Sequence, residues 1–151
     1  MSDIFLHTLL MAMTPVVELR GSIPYGIAMG LDPWLTYLAS VIGNMIPVPF
    51  IMIFIRRIFN WMRQKSKWLG DRVDWLIRRA EKKSDLVRKY ALLGLTILVA
   101  IPLPGTGAWT GALVAALLDI RLRYSFPAVF LGVLIAGVIV LLICGGISII
   151  I

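Results

Sequence analysis

The chain has 151 residues, of which 60% are hydrophobic and 15% charged, and its mean hydropathy is +0.92. Soluble domains carry roughly 25% charged residues, so this composition excludes an ordinary soluble protein. The net charge of +7 does not indicate a nucleic-acid partner, because twelve of the fifteen basic residues lie between Arg56 and Lys89. A basic loop between apolar segments is typical of the cytoplasmic side of a membrane. We therefore predict a multi-pass protein of the cell membrane, with one domain over 1–151 and the loop 56–90 in the cytoplasm.

The first apolar segment is too short to cross a bilayer. Residues 4–13 would form a helix that covers only about half of a ~30 Å hydrocarbon core. A proline, two charges and a glycine then arrive together between Thr14 and Gly21, after which apolar residues resume through Leu31. This pattern predicts a re-entrant hairpin with a broken helix. The charge-free segment 33–55 predicts the transmembrane helix that completes the first half, 1–57.

The basic segment 58–90 carries Trp61, Trp68 and Trp75 at intervals of seven residues. This spacing places the three rings near one face of a helix whose other faces carry Lys and Arg. An amphipathic helix on the cytoplasmic membrane interface is the expected structure. A coiled-coil seam is the alternative, although one tryptophan per heptad over so short a segment is a weak signal.

The second half, 91–151, has the same build as the first. The charge-free segment 91–118 is interrupted at 101–107 by two prolines and two glycines, and the charge-free segment 124–151 predicts another transmembrane helix. The sequences LDPWLTY, from Leu31, and LDIRLRY, from Leu118, share four residues at an offset of 87. We interpret the two halves as an internal repeat.

The positive-inside rule predicts how the halves are oriented. Arg121 and Arg123 should lie on the cytoplasmic side with the basic loop, which requires the preceding segment to enter and leave the membrane on one side. The last helix then runs outward, whereas the helix of the first half runs inward, and both termini lie outside. Two hairpins with helices of opposite orientation form the inverted repeat typical of transporters. Ordinary kinked transmembrane helices are the alternative.

Glu18 and Arg20 are the first candidates for function, because ionisable groups at membrane depth are costly and usually functional. Glu18 could bind and release a proton, while Arg20 could hold an anionic group by bidentate hydrogen bonds. The structural alternative is that the two charges neutralise each other or bond nearby backbone. Helix starts near Gly21 and Gly107 would add free N–H groups that favour anions. The remaining candidates for a substrate or ion site are Asn44, Gly105, Thr106, Trp109 and Thr110.

The residue inventory favours transport over catalysis. The chain has one His and one Cys, and it contains neither a His-Glu-x-x-His zinc motif nor a Gly-x-Ser-Gly nucleophile. We predict no enzyme activity, no catalytic residue, no metal site and no cofactor. The expected partners are membrane lipids, a small-molecule or lipid substrate and a second copy of the chain, with Gly132, Gly137, Gly145 and Gly146 as a candidate contact between the copies. A purely structural membrane protein is the remaining interpretation.

Two motifs carry a family resemblance, ELRGSIPY from Glu18 and PLPGTGAWTG from Pro102. With them the chain resembles the small multidrug export family over nearly its whole length, which implies a role in export. The facing hairpins are also similar to the larger DedA and VTT superfamily, whose members are linked to moving phospholipids and polyprenyl-phosphate carriers. That similarity implies a flippase or scramblase as the alternative function, with Glu18 and Arg20 as its proton and phosphate residues. The chain departs from the superfamily pattern, because 102–111 contains no arginine or acid.

Overall fold

The computed structural model describes residues 1–65, 67–82, 84–103 and 106–150. These ranges contain helices and no strand, so the predicted all-α class is confirmed for them. The helices in chain order are α1 (Ser2–Ala12), α2 (Glu18–Ala28), α3 (Pro33–Met45), α4 (Pro47–Lys65), α5 (Lys67–Lys82), α6 (Ser84–Ala100), α7 (Ala108–Leu117) and α8 (Leu122–Ile150).

The first three helices form a compact unit in which α2 runs antiparallel to α1 and α3. Gly43 of α3 approaches the Leu9 carbonyl of α1 so closely that a side chain would not fit. Gly26 of α2 lies against the Thr8 and Thr36 hydroxyls in the same way. The break between α1 and α2 is shorter than predicted, covering 13–17, because the first turn of α2 already includes the residues from Glu18 onward.

α3 begins and ends at identifiable signals. The Asp32 carboxylate caps its first turn by accepting hydrogen bonds from the Trp34 and Leu35 N–H groups at 3.0 and 3.3 Å, and Pro33 occupies the first helical position. The helix is interrupted at Ile46, because Pro47 supplies no N–H group to continue the hydrogen-bond ladder. Taken together, residues Pro33–Met62 are long and apolar enough to cross a membrane.

The helices α6, α7 and α8 pack together as a second unit. Gly132 of α8 packs against the Thr96 carbonyl and Val99 of α6, and Gly111 of α7 packs against Val99 as well. The Thr96 hydroxyl of α6 also donates to the Ala128 carbonyl of α8, one turn before the contact of Val99 with Gly132, so α6 and α8 run parallel. Residues Leu122–Gly145 of α8 form the second candidate membrane span.

The two candidate spans run antiparallel to each other. Near the start of α8 the Ser125 hydroxyl contacts the Met52 sulfur of α4 at 3.3 Å. Farther along α8, the Tyr37 hydroxyl of α3 donates a 3.0 Å hydrogen bond to the Leu134 carbonyl. A later residue of the second span thus contacts an earlier residue of the first, as antiparallel helices require.

The turn after α2 has the same geometry as the turn after α7. Leu31 N–H donates to the Gly26 carbonyl and Ile120 N–H to the Ala115 carbonyl, and both turns contain one residue of positive φ, at +83° in Gly30 and +53° in Asp119. This is the Schellman cap. After the two breaks, equivalent positions of the two turns are thus 89 residues apart. The predicted offset of 87 is wrong for these turns. The break before α7 covers 101–107 and is two residues longer than the break at 13–17.

Large apolar side chains cover much of the outer surface. The exposed ones include Trp34, Leu38, Ile42, Phe50, Phe54, Leu131 and Leu142. A soluble monomer seldom exposes so extensive an apolar surface, whereas a membrane protein presents it to lipid tails. With the two candidate spans, this surface supports a membrane protein. Trp61 and Trp68 are also exposed, with Lys65 and Arg72 stacked over their rings at 4.6 and 5.0 Å.

Candidate functional site

Arg20 connects the two broken segments. Its side chain leaves the first turn of α2 and donates hydrogen bonds to the Leu103 carbonyl, to the Ile101 carbonyl at 3.3 Å and to the Thr106 hydroxyl at 2.7 Å. The Thr106 hydroxyl also lies 2.7 Å from the Ile101 carbonyl and 2.8 Å from the Leu103 carbonyl. The guanidinium therefore binds carbonyl groups of the break that follows α6, where no further helical turn supplies N–H groups.

Glu18 reaches the other side of the same break. Its side chain is buried, with 4% of the residue exposed, and one carboxylate oxygen lies 3.4 Å from the Trp109 N–H in the first turn of α7. The other oxygen lies against Gly107, where a Cβ atom would overlap it. Gly107 also has φ +127°, a conformation that L side chains rarely adopt. Both the backbone and the space at this position therefore require glycine.

The signs of the two charges match the helix ends that they face. A helix has a partial positive charge at its N-terminus and a partial negative charge at its C-terminus. Glu18 places a carboxylate at the N-terminus of α7, and Arg20 places a cation beside the C-terminus of α6. Each charge thus stabilises an end of the broken helix in the opposite half of the chain.

Two further observations define the site. Trp109 donates its indole N–H to the Met13 carbonyl at 3.2 Å, so the second break also satisfies a carbonyl of the first. Glu18 itself has φ +49°, which is uncommon for a residue other than glycine and often marks functional positions. The site is therefore a direct contact between two helix breaks, held by two charged side chains and one tryptophan.

The other predicted residues fall in different places. Thr110 lies in the first turn of α7 and is half-buried, whereas Gly21 lies in the first turn of α2 and packs against Val17. Asn44 is fully buried, and its amide atoms have no hydrogen-bond partner within the described part of the chain. Gly105 lies outside the described residues.

Sequence reasoning missed the main partners of the two charges. The Arg20 guanidinium and the Trp109 indole donate to backbone carbonyls, and the Glu18 carboxylate accepts from the Trp109 backbone N–H. Backbone groups have no signature in a sequence. It also missed a groove of about 510 Å³ that Trp109 shares with α4. The walls of this groove are mainly apolar, and Arg57 adds one basic group; its α4 residues are Pro47, Phe50, Ile51, Ile53, Phe54 and Arg57.

The fold and this contact define a helical membrane protein in which two breaks between helices meet. Residues 18–139 match the family described as "Putative small multi-drug export protein", and the match covers α2, the whole first span, the second break and most of the second span. The chain belongs to this family. No match was found among curated proteins or among solved structures.

Proposed function

We propose that the protein is a secondary transporter that couples proton movement to the export of a small anionic or amphiphilic solute. The observation that carries the proposal is the Glu18 carboxylate at the N-terminus of α7, in the contact between the two breaks. A buried carboxylate in a membrane protein is costly to maintain without a functional reason. Breaks in membrane helices are typical of transporter binding sites.

The topology behind this proposal is an inverted repeat of two re-entrant hairpins, with both termini outside and α5 on the cytoplasmic interface. The antiparallel candidate spans support opposite orientation of the halves. Arg56, at the basic end of α4, donates a hydrogen bond to the Ile120 carbonyl and lies 3.9 Å from the Asp119 carboxylate. This contact supports a return of α7 to the side of the basic loop. The Glu18 site then lies near the middle of the membrane.

In the mechanism we propose, the cargo and Glu18 compete for one anion site. The ionised carboxylate occupies the N-terminus of α7, which attracts negative charge. Protonation removes the charge, weakens this contact and frees the Trp109 N–H for an anionic group of the cargo. The proton arrives from the outside while the cargo enters the site from the cytoplasm. Loss of this proton to the cytoplasm restores the contact and expels the cargo to the outside. Arg20 acts in this scheme as a positioning residue, because its donors are already bonded to the second break.

The groove beside Trp109 favours an amphiphilic cargo. Its apolar walls would accept a hydrocarbon portion, and Arg57 would attract a negative group. Because Phe50 and Phe54 are both more than 60% exposed, the groove is open along its length. The same openness favours the second candidate function, a flippase or scramblase for lipids or polyprenyl phosphates, whose substrates enter from the bilayer.

We also propose that lipids surround the described apolar surface and that the protein forms homodimers. The predicted dimer contact along the glycines of α8 is only partly available. Gly132 and Gly137 are already occupied by Val99 and Tyr37 of the same chain, whereas a Cβ at Gly145 would meet nothing within 4 Å. A contact between copies is therefore expected near Gly145. Transport without enzyme activity remains part of the proposal.

The test is transport by proteoliposomes that contain wild type or Glu18→Gln. Glutamine retains a carbonyl that can accept the Trp109 N–H but cannot exchange a proton at neutral pH. The panel of cargoes comprises an anionic detergent, a cationic drug and a phosphorylated lipid. Wild type should show proton flux that is coupled to the movement of the anionic amphiphiles and opposite in direction, and the variant should lose this proton flux while still folding.

Asp119→Asn is the matched control, because it removes an exposed carboxylate at the end of α7 and should leave transport intact. A folded Glu18→Gln protein that couples protons to cargo as wild type does would overturn the proposal. Movement of the lipid alone, without protons and in both proteins, would favour the scramblase.

A further inference from the structure

Small polar side chains form a stripe in the interior of the first unit. Thr36, Ser40 and Asn44 follow one another at intervals of four along α3 and therefore lie on one face of it. All three are 0% exposed, as are Thr8 of α1 and Ser22 of α2. Asp32, one interval earlier, is exposed at the start of α3. From Asp32 to Asn44 the stripe extends ~18 Å along the helix, more than half of a ~30 Å membrane core.

The stripe leads from the surface to Glu18. Ser22 donates a 2.7 Å hydrogen bond to Ser40, and one turn away Gly26 faces Thr36. Because α2 and α3 are antiparallel, the register that pairs Ser22 with Ser40 next brings position 18, at the start of α2, opposite position 44 of α3. The Glu18 side chain itself contacts Gly107 and Trp109, so the step from Asn44 to the carboxylate is the one that water would bridge.

Several polar atoms of the stripe have no partner. Within the described residues, the Thr36 hydroxyl and both amide atoms of Asn44 are buried without a hydrogen bond. Burying such atoms is unfavourable unless they are hydrogen-bonded, and small groups such as water commonly supply the bond. The stripe therefore has unused donors and acceptors between the surface and Glu18.

The second unit provides an internal comparison. At the offset of 89 set by the helix caps, Ser40 corresponds to Val129 and Asn44 to Val133, and both valines are 0% exposed. Ser22 corresponds to Gly111, where an added Cβ atom would lie 3.6 Å from the Val129 Cγ2 atom. At positions 40 and 44 the same helix packing is thus made with apolar side chains in the other half, whereas Thr36 corresponds to the buried Ser125. Packing alone does not require polar residues at positions 40 and 44.

We propose that this stripe is a proton path from the Asp32 end of α3 to Glu18, an inference that rests on the proton-coupled function proposed above. Each hydroxyl accepts a proton from the side of Asp32 and passes its own proton onward, while water held by Asn44 bridges the last step. The net result is the transfer of one proton to the Glu18 carboxylate, and every relay group is left unchanged. Arg20, the charged neighbour on α2, is turned toward Ile101 and Leu103 instead. In the proposed topology the path opens to the outside, so protons would enter as cargo is exported.

The experiment measures the rate at which Glu18 gains a proton, without any cargo. Purified protein in lipid nanodiscs is subjected to a rapid drop in pH, and the infrared band of the protonated carboxyl is followed in time. The band that is missing in Glu18→Gln identifies the residue. Ser40→Val and Ser40→Thr form a matched pair, because valine and threonine have nearly the same shape and differ in the hydroxyl. Val129→Thr adds a hydroxyl at the corresponding position of the second half and serves as the control.

Ser40→Val and Asn44→Val should slow the appearance of the Glu18 band by about tenfold or more, which corresponds to about 1.4 kcal/mol in the barrier. The final amplitude should be retained. Ser40→Thr and Val129→Thr should react at the wild-type rate. If the valine variants fold and their band appears as fast as in wild type, the path is wrong while the role of Glu18 stands. If no carboxyl band depends on Glu18, both the path and the proposed function fail.

Discussion

At the scale of single residues, the contact between Glu18 and Gly107 is the most constrained feature of the site. The carboxylate occupies the space in which any larger residue at 107 would place its Cβ atom, and the glycine has a positive φ. The charge and the glycine come from opposite halves of the chain. Neither position can change without affecting the other.

Gly107→Ala should therefore destabilise the protein by roughly 1–3 kcal/mol, the usual cost of an unfavourable backbone conformation. It should also displace the Glu18 carboxylate and lower the proton-coupled transport that we propose. Thermal unfolding in detergent measures the first effect. In a Glu18→Ala background the added Cβ atom no longer overlaps a carboxylate, so Gly107→Ala should lower the stability by a smaller amount.

Gly94→Ala is the control for this prediction. Gly94 lies inside α6, and a Cβ there would meet nothing within 4 Å. Alanine should stabilise the helix by up to about 1 kcal/mol. Equal destabilisation by both substitutions would contradict the special role of Gly107.

At the scale of helices, the caps after α2 and α7 show that one geometry can be made by different residues. Gly30 and Asp119 both have positive φ at the corresponding position. Glycine adopts this conformation readily, whereas other L residues pay roughly 1–2 kcal/mol for it. The second cap is therefore the strained one.

Asp119→Gly should stabilise the protein by roughly 0.5–1 kcal/mol, the strain relieved less the entropy that glycine loses on folding. The lost contact with Arg56 costs little, because the Asp119 side chain is 82% exposed. Gly30→Ala should destabilise by about 1 kcal/mol, since the space around Gly30 is open and only the backbone opposes the change. Chemical or thermal denaturation checks both values. Asp119→Asn should leave the stability unchanged, because asparagine tolerates the same conformation. If Asp119→Asn stabilised the protein as much as Asp119→Gly, the gain would come from the loss of charge and not from relief of backbone strain.

These caps also show how far the sequence determines the structure. Proline and glycine at 14–21 and 101–107 predicted both helix breaks, because these residues act locally. The shared Leu, Asp, Leu and Tyr predicted a repeat but gave the wrong offset, since the positive-φ position is filled by Gly30 in one half and by Asp119 in the other. Glu18 and Arg20 were identified by charge alone. Their partners could not be predicted, because the carbonyl groups and the Trp109 N–H belong to the backbone.

At the scale of the whole molecule, the proposed topology places the cap after α2 and the start of α8 on opposite sides of the membrane. The antiparallel spans and the contact of Arg56 with Asp119 both support this arrangement. Trp34 is 70% exposed beside the first cap, and Arg121 is exposed at the start of α8. Both positions can be labelled without disturbing the interior.

Single cysteines introduced as Trp34→Cys and Arg121→Cys, in a background with Cys144→Ala, should react with a membrane-impermeant maleimide from opposite sides. The Trp34 position should react in intact cells, and the Arg121 position only after the membrane is opened. Labelling of both positions in intact cells would contradict the inverted arrangement. Transport by the Cys144→Ala background would show that the labelled proteins remain native.

The contacts of Arg20 have a consequence for biosynthesis. Translation produces α2, with its buried carboxylate and its guanidinium, before residues 101–109 exist. During that interval the first hairpin lacks the carbonyls and the N–H group that later satisfy its charges. We expect the hairpin to remain at the membrane surface or in the insertion machinery until the second half emerges. The N-terminal half expressed alone should therefore insert poorly, and co-expression of the two halves as separate chains should restore insertion.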